Sequence, residues 1–261
     1  PAQASASSPH PLQAKTKAEP APPPSSSHPS HWISRQLKQG WSAEAVLEQE
    51  VLSVLIDVLE VQSPQDLGIG RDCHDYSSYD GLKFHCAWRI EHAGFWQRLQ
   101  QERQILERAV SCIPRAKQPP RYESRLSLIA EDLPPVGWTG AQKGSQGSAN
   151  MQWLLHGTKP EALLSIVHSG LNERMASDGL FGAGVYLAEC IEKVDQYATP
   201  DRRYEDPAME ELHKRLFRAG GNKYPLEGDL FYCFLVRSLC GLQLRTLGLD
   251  PKDPVRDMQT G

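Results

Sequence analysis

The sequence has no run of about 20 apolar residues, the length that a helix needs to cross a bilayer, and no basic segment followed by an apolar one opens it. Its 28 basic and 32 acidic residues leave a formal net charge of −4. No overall positive field therefore draws the chain to a membrane or to nucleic acid, although a local basic groove is compatible with this balance. We expect a protein without a membrane partner.

Cysteine is sparse, and no two cysteines form a C-x-x-C pair. This pattern argues against zinc ribbons and dense disulfide frameworks and favours reduced thiols, hence an intracellular protein of the nucleus or cytoplasm. The adjacent pairs Cys73-His74 and His85-Cys86 resemble metal ligands, but neighbours in an extended strand point to opposite faces. We therefore expect no metal site. The cysteines are Cys73, Cys86, Cys112, Cys190, Cys233 and Cys240.

Common nucleotide-binding and hydrolase motifs are also missing. Gly182-Ala183-Gly184 lacks a third glycine at the spacing of a dinucleotide fingerprint, and it precedes a predicted strand instead of opening a helix. The sequence contains no P-loop, no serine nucleophile elbow and no H-E-x-x-H motif. None of these common motifs therefore indicates which reaction the protein catalyses.

The composition changes abruptly at Trp32. Residues 1–31 hold 8 Pro, 7 Ser and 6 Ala, with no Phe, Trp or Tyr. Such a segment buries too little apolar surface to offset the entropy of ordering, so we expect a disordered linker, with an added tail as the alternative. The missing initiator Met and the polar segment 257–261 lead us to expect a fragment of a larger modular protein.

A helical segment is predicted over residues 32–70. Ser42 is a suitable N-cap, and Ser63-Pro64 ends the pattern. Between them, apolar residues recur at helical spacing: Leu47, Val51, Val54, Leu55 and Val58. We expect this helix to be an appendage that packs on the main domain, with the end of an upstream domain as the alternative.

Residues 71–261 are predicted to form the main domain, in which strands and helices mix without steady alternation. This favours an α+β fold over a doubly wound sheet. Residues 199–228 are charged and predict a surface insertion. The predicted strands are Leu82–Ile90, Trp153–Leu155, Val185–Leu187 and Leu230–Val236, with Leu242–Leu244 as a further candidate. The predicted helices cover Phe95–Val110, Leu163–Val167, Glu189–Tyr197 and Met209–Phe217.

Two short stretches carry the candidate chemistry. His156 at the end of a predicted strand, followed by Gly157, can present a ring nitrogen and a bare backbone to one ligand, as a carboxamide with a hydroxyl would require. Tyr186 and Tyr197 could face each other across a cleft and hold an aromatic ring between them. The alternatives are a structural histidine and tyrosines in the core. Taken alone, these residues predict a cleft for a flat, amide-bearing ligand.

The same stretches resemble a known family. His156-Gly157-Thr158, the helix to Gly170, and residues 180–189 through Lys193 and Asp195-Gln196-Tyr197 are similar to the catalytic domain of the poly(ADP-ribose) polymerases. Residues 170–174 resemble the tankyrase branch most, and residues 88–99 resemble the strand and helix that open that domain. The resemblance covers residues 82 to 245.

The resemblance implies a split β-sandwich ADP-ribosyltransferase fold that binds NAD⁺ and transfers ADP-ribose with loss of nicotinamide. It implies that His156 hydrogen-bonds the adenosine ribose and that the backbone of Gly157 holds the nicotinamide amide. Tyr186 and Tyr197 would stack on the nicotinamide ring. Of these residues, His156 and Tyr186 would serve catalysis. Residues 171–179, with Arg174, would form the donor-site loop, and Lys193 would lie on the acceptor side.

Two departures from the family pattern bear on activity. Val194 stands where relatives carry a serine that bonds the nicotinamide carbonyl; losing one neutral hydrogen bond costs about 0.5–1.5 kcal/mol, at most about tenfold in affinity. The family's catalytic glutamate is expected on a strand beyond Gly261. The alternatives are therefore a catalytically silent NAD⁺- or ADP-ribose-binding scaffold and a purely structural domain.

The resemblance leaves the partners open. Protein acceptors, including the protein itself, are expected, and a nucleic acid acceptor is not excluded. The sequence does not determine whether single units or chains of ADP-ribose are added, which residue accepts them, or the oligomeric state.

Overall fold

The computed structural model describes residues 32, 40–68, 79, 81–119, 124–126, 149–172, 178–179, 182–201, 207–218, 222–225 and 227–243. The predicted linker of residues 1–31 lies outside these residues, as do Arg174 and most of the predicted donor-site loop. None of the helices that the structure describes is long and apolar enough to cross a membrane.

The first sheet joins two strands that lie far apart in the sequence. Strand β1 (Trp41–Ala45) pairs antiparallel with β2 (Trp88–His92), with Trp41 opposite His92. The predicted N-cap at Ser42 is wrong, because Ser42 lies inside β1. Its hydroxyl donates to the carboxylate of Glu44, which shares its strand face at i+2.

Helix α1 (Gln49–Val58) follows β1 and supplies one side of the core. Its predicted apolar face is confirmed for Val51, Val54, Leu55 and Val58, which are buried, but Leu47 precedes the helix and is 72% exposed. The face packs in one cluster with Leu126, Leu155, Ile191 and Val194 from the main domain. The helix therefore packs against these later residues, and its assignment as an appendage stays a prediction.

Helix α2 (Ala93–Ser111) confirms the predicted helix. The His92 ring caps it by accepting the Phe95 N–H at 3.2 Å. The predicted strand before it is wrong over residues 82–87, which form no ladder. Only five residues of β1 are available for pairing before the chain turns towards α1, and the last backbone contact is Val46 N–H to the Ala87 carbonyl at 3.0 Å.

The second sheet positions the candidate site. Strand β3 (Met151–Thr158) pairs antiparallel with β6 (Tyr232–Leu239) along eight residues, from Met151 opposite Leu239 to Thr158 opposite Tyr232. His156 lies within β3 and not at its end, because Gly157 and Thr158 continue the ladder. Leu242 and Gln243 are not in a strand, and Leu244 lies outside the described residues.

Shorter elements lie between these two strands. Helix α3 (Leu163–Ser169) ends as predicted at Gly170, whose φ of +81° suits a residue without a Cβ. Strands β4 (Asp178–Gly179) and β5 (Gly182–Ala183) pair antiparallel. The predicted strand Val185–Leu187 is wrong: these residues have no ladder partner, and regular pairing resumes only as the single bridge from Ala188 to Leu155. Helix α4 (Ile191–Asp195) is shorter than predicted.

The predicted surface insertion is wrong for residues 207–218. A 3₁₀ turn (Pro207–Met209), helix α5 (Glu210–His213) and a π turn (Lys214–Arg218) follow one another there. The side chains of Met209, Leu212, Leu216 and Phe217 are buried in a cluster that includes Tyr232 of β6. The carboxylate of Asp201 accepts hydrogen bonds from His213 Nε2 at 2.7 Å and from the Tyr232 hydroxyl at 2.6 Å. The buried cluster is Leu163, Met209, Leu212, Leu216, Phe217, Leu230 and Tyr232.

The described residues combine helices with two-stranded antiparallel sheets. This mixture agrees with the α+β class. The arrangement as a split β-sandwich stays a prediction, as does the division of the chain into residues 1–31, 32–70 and 71–261.

Leu155→Ala should lower the free energy of unfolding by about 2–5 kcal/mol, because it opens a cavity where α1 meets α4. Leu155 is fully buried. The control Leu47→Ala, at the exposed residue before α1, should stay within about 0.5 kcal/mol of wild type. Urea unfolding measures both. Equal effects from the two variants would contradict the assigned core.

Candidate functional site

The candidate site forms where β3 meets the chain segment from β5 to α4. On the edge of β3 away from β6, Leu155 exchanges two backbone hydrogen bonds with Ala188, at 2.8 and 2.9 Å. Backbone groups alternate in direction along a strand, so Gly157, two residues on, directs its N–H and C=O to that same side. His156 points its backbone groups towards β6. The predicted site glycine therefore presents a donor and an acceptor away from the sheet.

His156 is held in one orientation by its neighbour across the site. Its Nδ1 lies 3.0 Å from the Tyr186 carbonyl oxygen. A carbonyl only accepts, so Nδ1 carries the proton and, in the neutral ring, Nε2 is left as an acceptor. Nε2 has no hydrogen-bond partner among the described residues. The half-buried ring is thus arranged to accept a hydrogen bond from a ligand hydroxyl.

Gly157 is required by close packing against α4. A Cβ at this position would lie 2.2 Å from the Val194 carbonyl oxygen and 3.0 Å from Val194 Cγ1. The Val194 side chain is buried in the core and fills the space beside Gly157. Only glycine lets β3 and the end of α4 approach this closely.

No thiolate is available beside this glycine from the neighbouring strand. Cys233 lies opposite Gly157 in β6. Burial raises the pKa of the Cys233 thiol to about 11. The thiol therefore stays protonated near neutral pH and is not an activated nucleophile.

The remaining predicted residues gather at the end of α4. The Tyr197 N–H donates to the Val194 carbonyl at 3.0 Å, which ties Tyr197 to the atom that Gly157 contacts. Lys193 is exposed; its Nζ donates to Gln196 Oε1 at 2.9 Å and lies 5.4 Å from the centre of the Tyr197 ring. The Lys193 charge and the Tyr197 ring therefore share one exposed rim next to Gly157.

Tyr186 is not a core residue. It is 38% exposed, and its hydroxyl donates to the Gly182 carbonyl at 2.8 Å. This bond ties the side chain to the β4–β5 hairpin while its own carbonyl orients His156. The structure therefore places Tyr186 beside His156, and it places Lys193 and Tyr197 beside the Val194 carbonyl that Gly157 contacts. Arg174 lies outside the described residues.

Sequence reasoning missed two buried carboxylates on α4, Glu192 and Asp195, which are 3% and 2% exposed. Glu192 Oε1 accepts the backbone N–H of Gln62 and, at 2.6 Å, that of Ser63. Asp195 Oδ2 accepts the Gly68 N–H and the Tyr79 hydroxyl, both at 2.7 Å. The only signal in the sequence is an i, i+3 acidic pair on an otherwise apolar helix face.

The local field favours the ionised form of Glu192. Burial alone would raise its pKa, but hydrogen bonds outweigh burial, and the pKa falls below the ordinary value of 4.5. The donors are the backbone N–H groups of Glu192, Ser63 and Gln62 and the Cys190 thiol. Glu192 is therefore a fixed negative charge at neutral pH.

Of the candidate metal ligands in the sequence, the structure describes His85 and Cys86. Within the described part of the chain, no group of three or more His, Cys, Asp or Glu side chains could hold a metal ion. His85 Nε2 instead donates to the Lys223 carbonyl at 2.7 Å. Cys73 and His74 lie outside the described residues.

Gly157→Ala should lower the free energy of unfolding by about 1–3 kcal/mol, because the new methyl forces β3 and α4 apart. It should also shift the amide NMR signals of α4. Gly81→Ala is the matched control, since its Cβ meets nothing within 4 Å. Unshifted α4 signals in Gly157→Ala would contradict the close contact.

Acid should remove the stability that Glu192 contributes. With a folded-state pKa below 4.5, the contribution is complete above that pH and disappears as the pH falls through the folded pKa. Glu192→Gln should therefore show a shallower loss of unfolding free energy than wild type below about pH 4.5, measured by urea unfolding at several pH values. The exposed variant Glu50→Gln should keep the wild-type slope, and a wild-type slope in Glu192→Gln would refute the assignment.

Comparison with known proteins places this geometry in a family context. No curated protein matches the chain. The family model of the poly(ADP-ribose) polymerase catalytic domain matches residues 82–209, a span that contains β3, the hairpin and α4. Domains of this family use NAD⁺ as their substrate. Residues 82–209 are thus similar to the poly(ADP-ribose) polymerase catalytic domain, which at the level of the family supports an NAD⁺-dependent ADP-ribosyltransferase.

Proposed function

We propose that the protein transfers ADP-ribose from NAD⁺ to protein acceptors and releases nicotinamide. The observation that carries the proposal is the backbone of Gly157, whose N–H and C=O point away from β6 at the contact with Val194, inside the segment that matches the family model. A carboxamide has one donor group and one acceptor group. It can therefore bond this glycine in the way that a neighbouring strand would.

His156 is proposed to bind the adenosine ribose of NAD⁺. Its Nδ1 donates to the Tyr186 carbonyl oxygen at 3.0 Å, so Nε2 can accept a hydrogen bond from a ribose hydroxyl. A hydrogen bond of this kind contributes about 0.5–1.5 kcal/mol. This interaction would serve catalysis by orienting the donor.

Tyr186 and Tyr197 are proposed to hold the nicotinamide ring. Tyr186 is exposed and Tyr197 is half-buried, so part of the surface of each ring is accessible to a ligand. Each stacking contact contributes about 0.5–1.5 kcal/mol beyond burial of area, enough to orient the ring.

The reaction breaks the bond between the nicotinamide nitrogen and C1′ of its ribose. The bonding electrons leave with nicotinamide, which becomes neutral, and positive charge develops on the ribose as in glycoside hydrolysis. The acceptor's nucleophilic atom then bonds C1′ and releases its proton to water. A carboxylate near the ribose would stabilise the charged state, and no residue of this chain is assigned that role.

The finer features follow the family resemblance. Residues 170–174 favour a tankyrase-like branch, with Arg174 in a donor-site loop over NAD⁺. Lys193, exposed beside Tyr197, is proposed to face the acceptor. An intracellular location, nuclear or cytoplasmic, and modification of the protein itself complete the proposal.

Incubation of the full-length protein with labelled NAD⁺ should place ADP-ribose on protein. His156→Ala should reduce labelling at subsaturating NAD⁺ by about 2- to 12-fold, corresponding to one lost hydrogen bond. His168→Ala is the matched control, because His168 contacts Trp41 and not β3. Absence of label with wild type, or equal label after His156→Ala, would contradict the proposal.

A second function is favoured by one observation. Val194 places a buried aliphatic side chain where the family carries a hydroxyl, which removes a ligand contact and leaves packing intact. A silent NAD⁺-binding scaffold would tolerate this change without loss. Calorimetry that detects NAD⁺ binding, together with no release of nicotinamide, would favour the scaffold over the transferase.

A further inference from the structure

We propose that Glu192 and Asp195 are positioning residues, which fix the nicotinamide side of the site by bracing α4 against residues 62–68 and Tyr79. The proposal rests on the function proposed above for its effect on NAD⁺. The brace itself is a property of this chain's own contacts.

The brace consists of two carboxylates that each accept two hydrogen bonds from the preceding part of the chain. Glu192 bonds the N–H groups of Gln62 and Ser63, just before the 3₁₀ turn Pro64–Asp66. Asp195 bonds the Gly68 N–H just after the turn. The two carboxylates therefore bind the backbone on both sides of one turn. Gln196 Nε2 also donates to the Asp66 carbonyl at 3.4 Å.

Tyr79 supplies the second hydrogen bond to Asp195. Its hydroxyl donates to Asp195 Oδ2 at 2.7 Å, while its ring packs 5.5 Å from the Phe231 ring, centre to centre, beside β6. Gly68 has a φ of +66°, which favours glycine, and its N–H reaches the same oxygen. A single carboxylate oxygen thus joins α4 to two separate segments.

The brace is directly coupled to the site. Val194 lies between the two carboxylates in sequence, and its carbonyl oxygen both limits the approach of Gly157 and accepts the Tyr197 N–H at 3.0 Å. A small rotation of α4 would move the Gly157 contact and the Tyr197 ring together. A displacement near 1 Å in such a site is enough to impair binding and reaction.

The two carboxylates are costly as purely structural groups. Glu192 Oε2 and Asp195 Oδ1 are buried and have no hydrogen-bond partner among the residues that the structure describes. An apolar pair would bury the same surface without that cost. An apolar pair could not, however, fix the orientation of α4 through directional bonds, and this distinguishes positioning from simple packing.

Tyr79→Phe tests the brace with the smallest change, since it removes one hydroxyl and keeps the ring. Two quantities are measured on the full chain: NAD⁺ affinity by calorimetry, and hydrogen exchange of the Tyr197 amide relative to the Leu155 amide without ligand. We expect affinity to fall by about 2- to 12-fold, the value of one hydrogen bond, and relative exchange at Tyr197 to rise by a similar factor. Asp195→Ala should have larger effects, and Asp195→Asn should recover part of them.

Tyr224→Phe is the matched control. It also removes one tyrosine hydroxyl bond, to the Asp201 carbonyl at 2.9 Å, but it lies away from α4. It should leave NAD⁺ affinity and relative Tyr197 exchange unchanged even where it lowers overall stability. Unchanged relative exchange at Tyr197 in both Tyr79→Phe and Asp195→Ala would overturn the brace. If wild type binds no NAD⁺, the proposed function fails. The hydrogen-exchange measurement needs no ligand, so it still tests whether the two carboxylates brace α4.

Discussion

The contact between Gly157 and the Val194 carbonyl oxygen is the constraint on which the site depends. It sets how closely β3 and α4 approach, and a side chain of any size at residue 157 would separate them. The same carbonyl ends α4 by accepting the Tyr197 N–H. The positions of Tyr197 and of the neighbouring Lys193 beside Gly157 therefore follow from this one contact.

Two kinds of interaction maintain that contact. Apolar packing presses Ile191 and Val194 into the cluster formed by α1 and Leu155. The hydrogen bonds that Glu192 and Asp195 accept are directional, and they fix the rotation of the helix about its axis. Packing alone is not directional, so it would keep α4 close without determining which groups face Gly157. Packing and directional hydrogen bonds together explain why a helix of only five residues can form one wall of a ligand site.

The parts of the fold that were predictable depend on local signals. Helix α2 keeps helical spacing for many residues, and Gly170 ends α3 through its own backbone preference, so both were predicted correctly. Ser42 was assigned wrongly because it becomes a strand residue only by pairing with Glu91, 49 positions later. A single sequence does not contain that pairing.

The site shows the same division. His156 and Gly157 were identified because a histidine followed by a glycine after an apolar run is a local pattern, and the family resemblance gave the expected roles. Glu192 and Asp195 were missed because their partners lie 116 to 130 positions earlier in the chain. The break in strand pairing between Ala183 and Ala188 was also missed, since residues 185–187 were predicted to form a strand.

The central claim, that the nicotinamide ring lies beside the Gly157–Val194 contact, is tested most directly by NMR of the protein with NAD⁺. The account predicts nuclear Overhauser effects from the nicotinamide ring protons to the ring protons of Tyr186 and Tyr197. Binding of NAD⁺ with no such effects to either tyrosine, or with nicotinamide effects confined to another part of the surface, would contradict it.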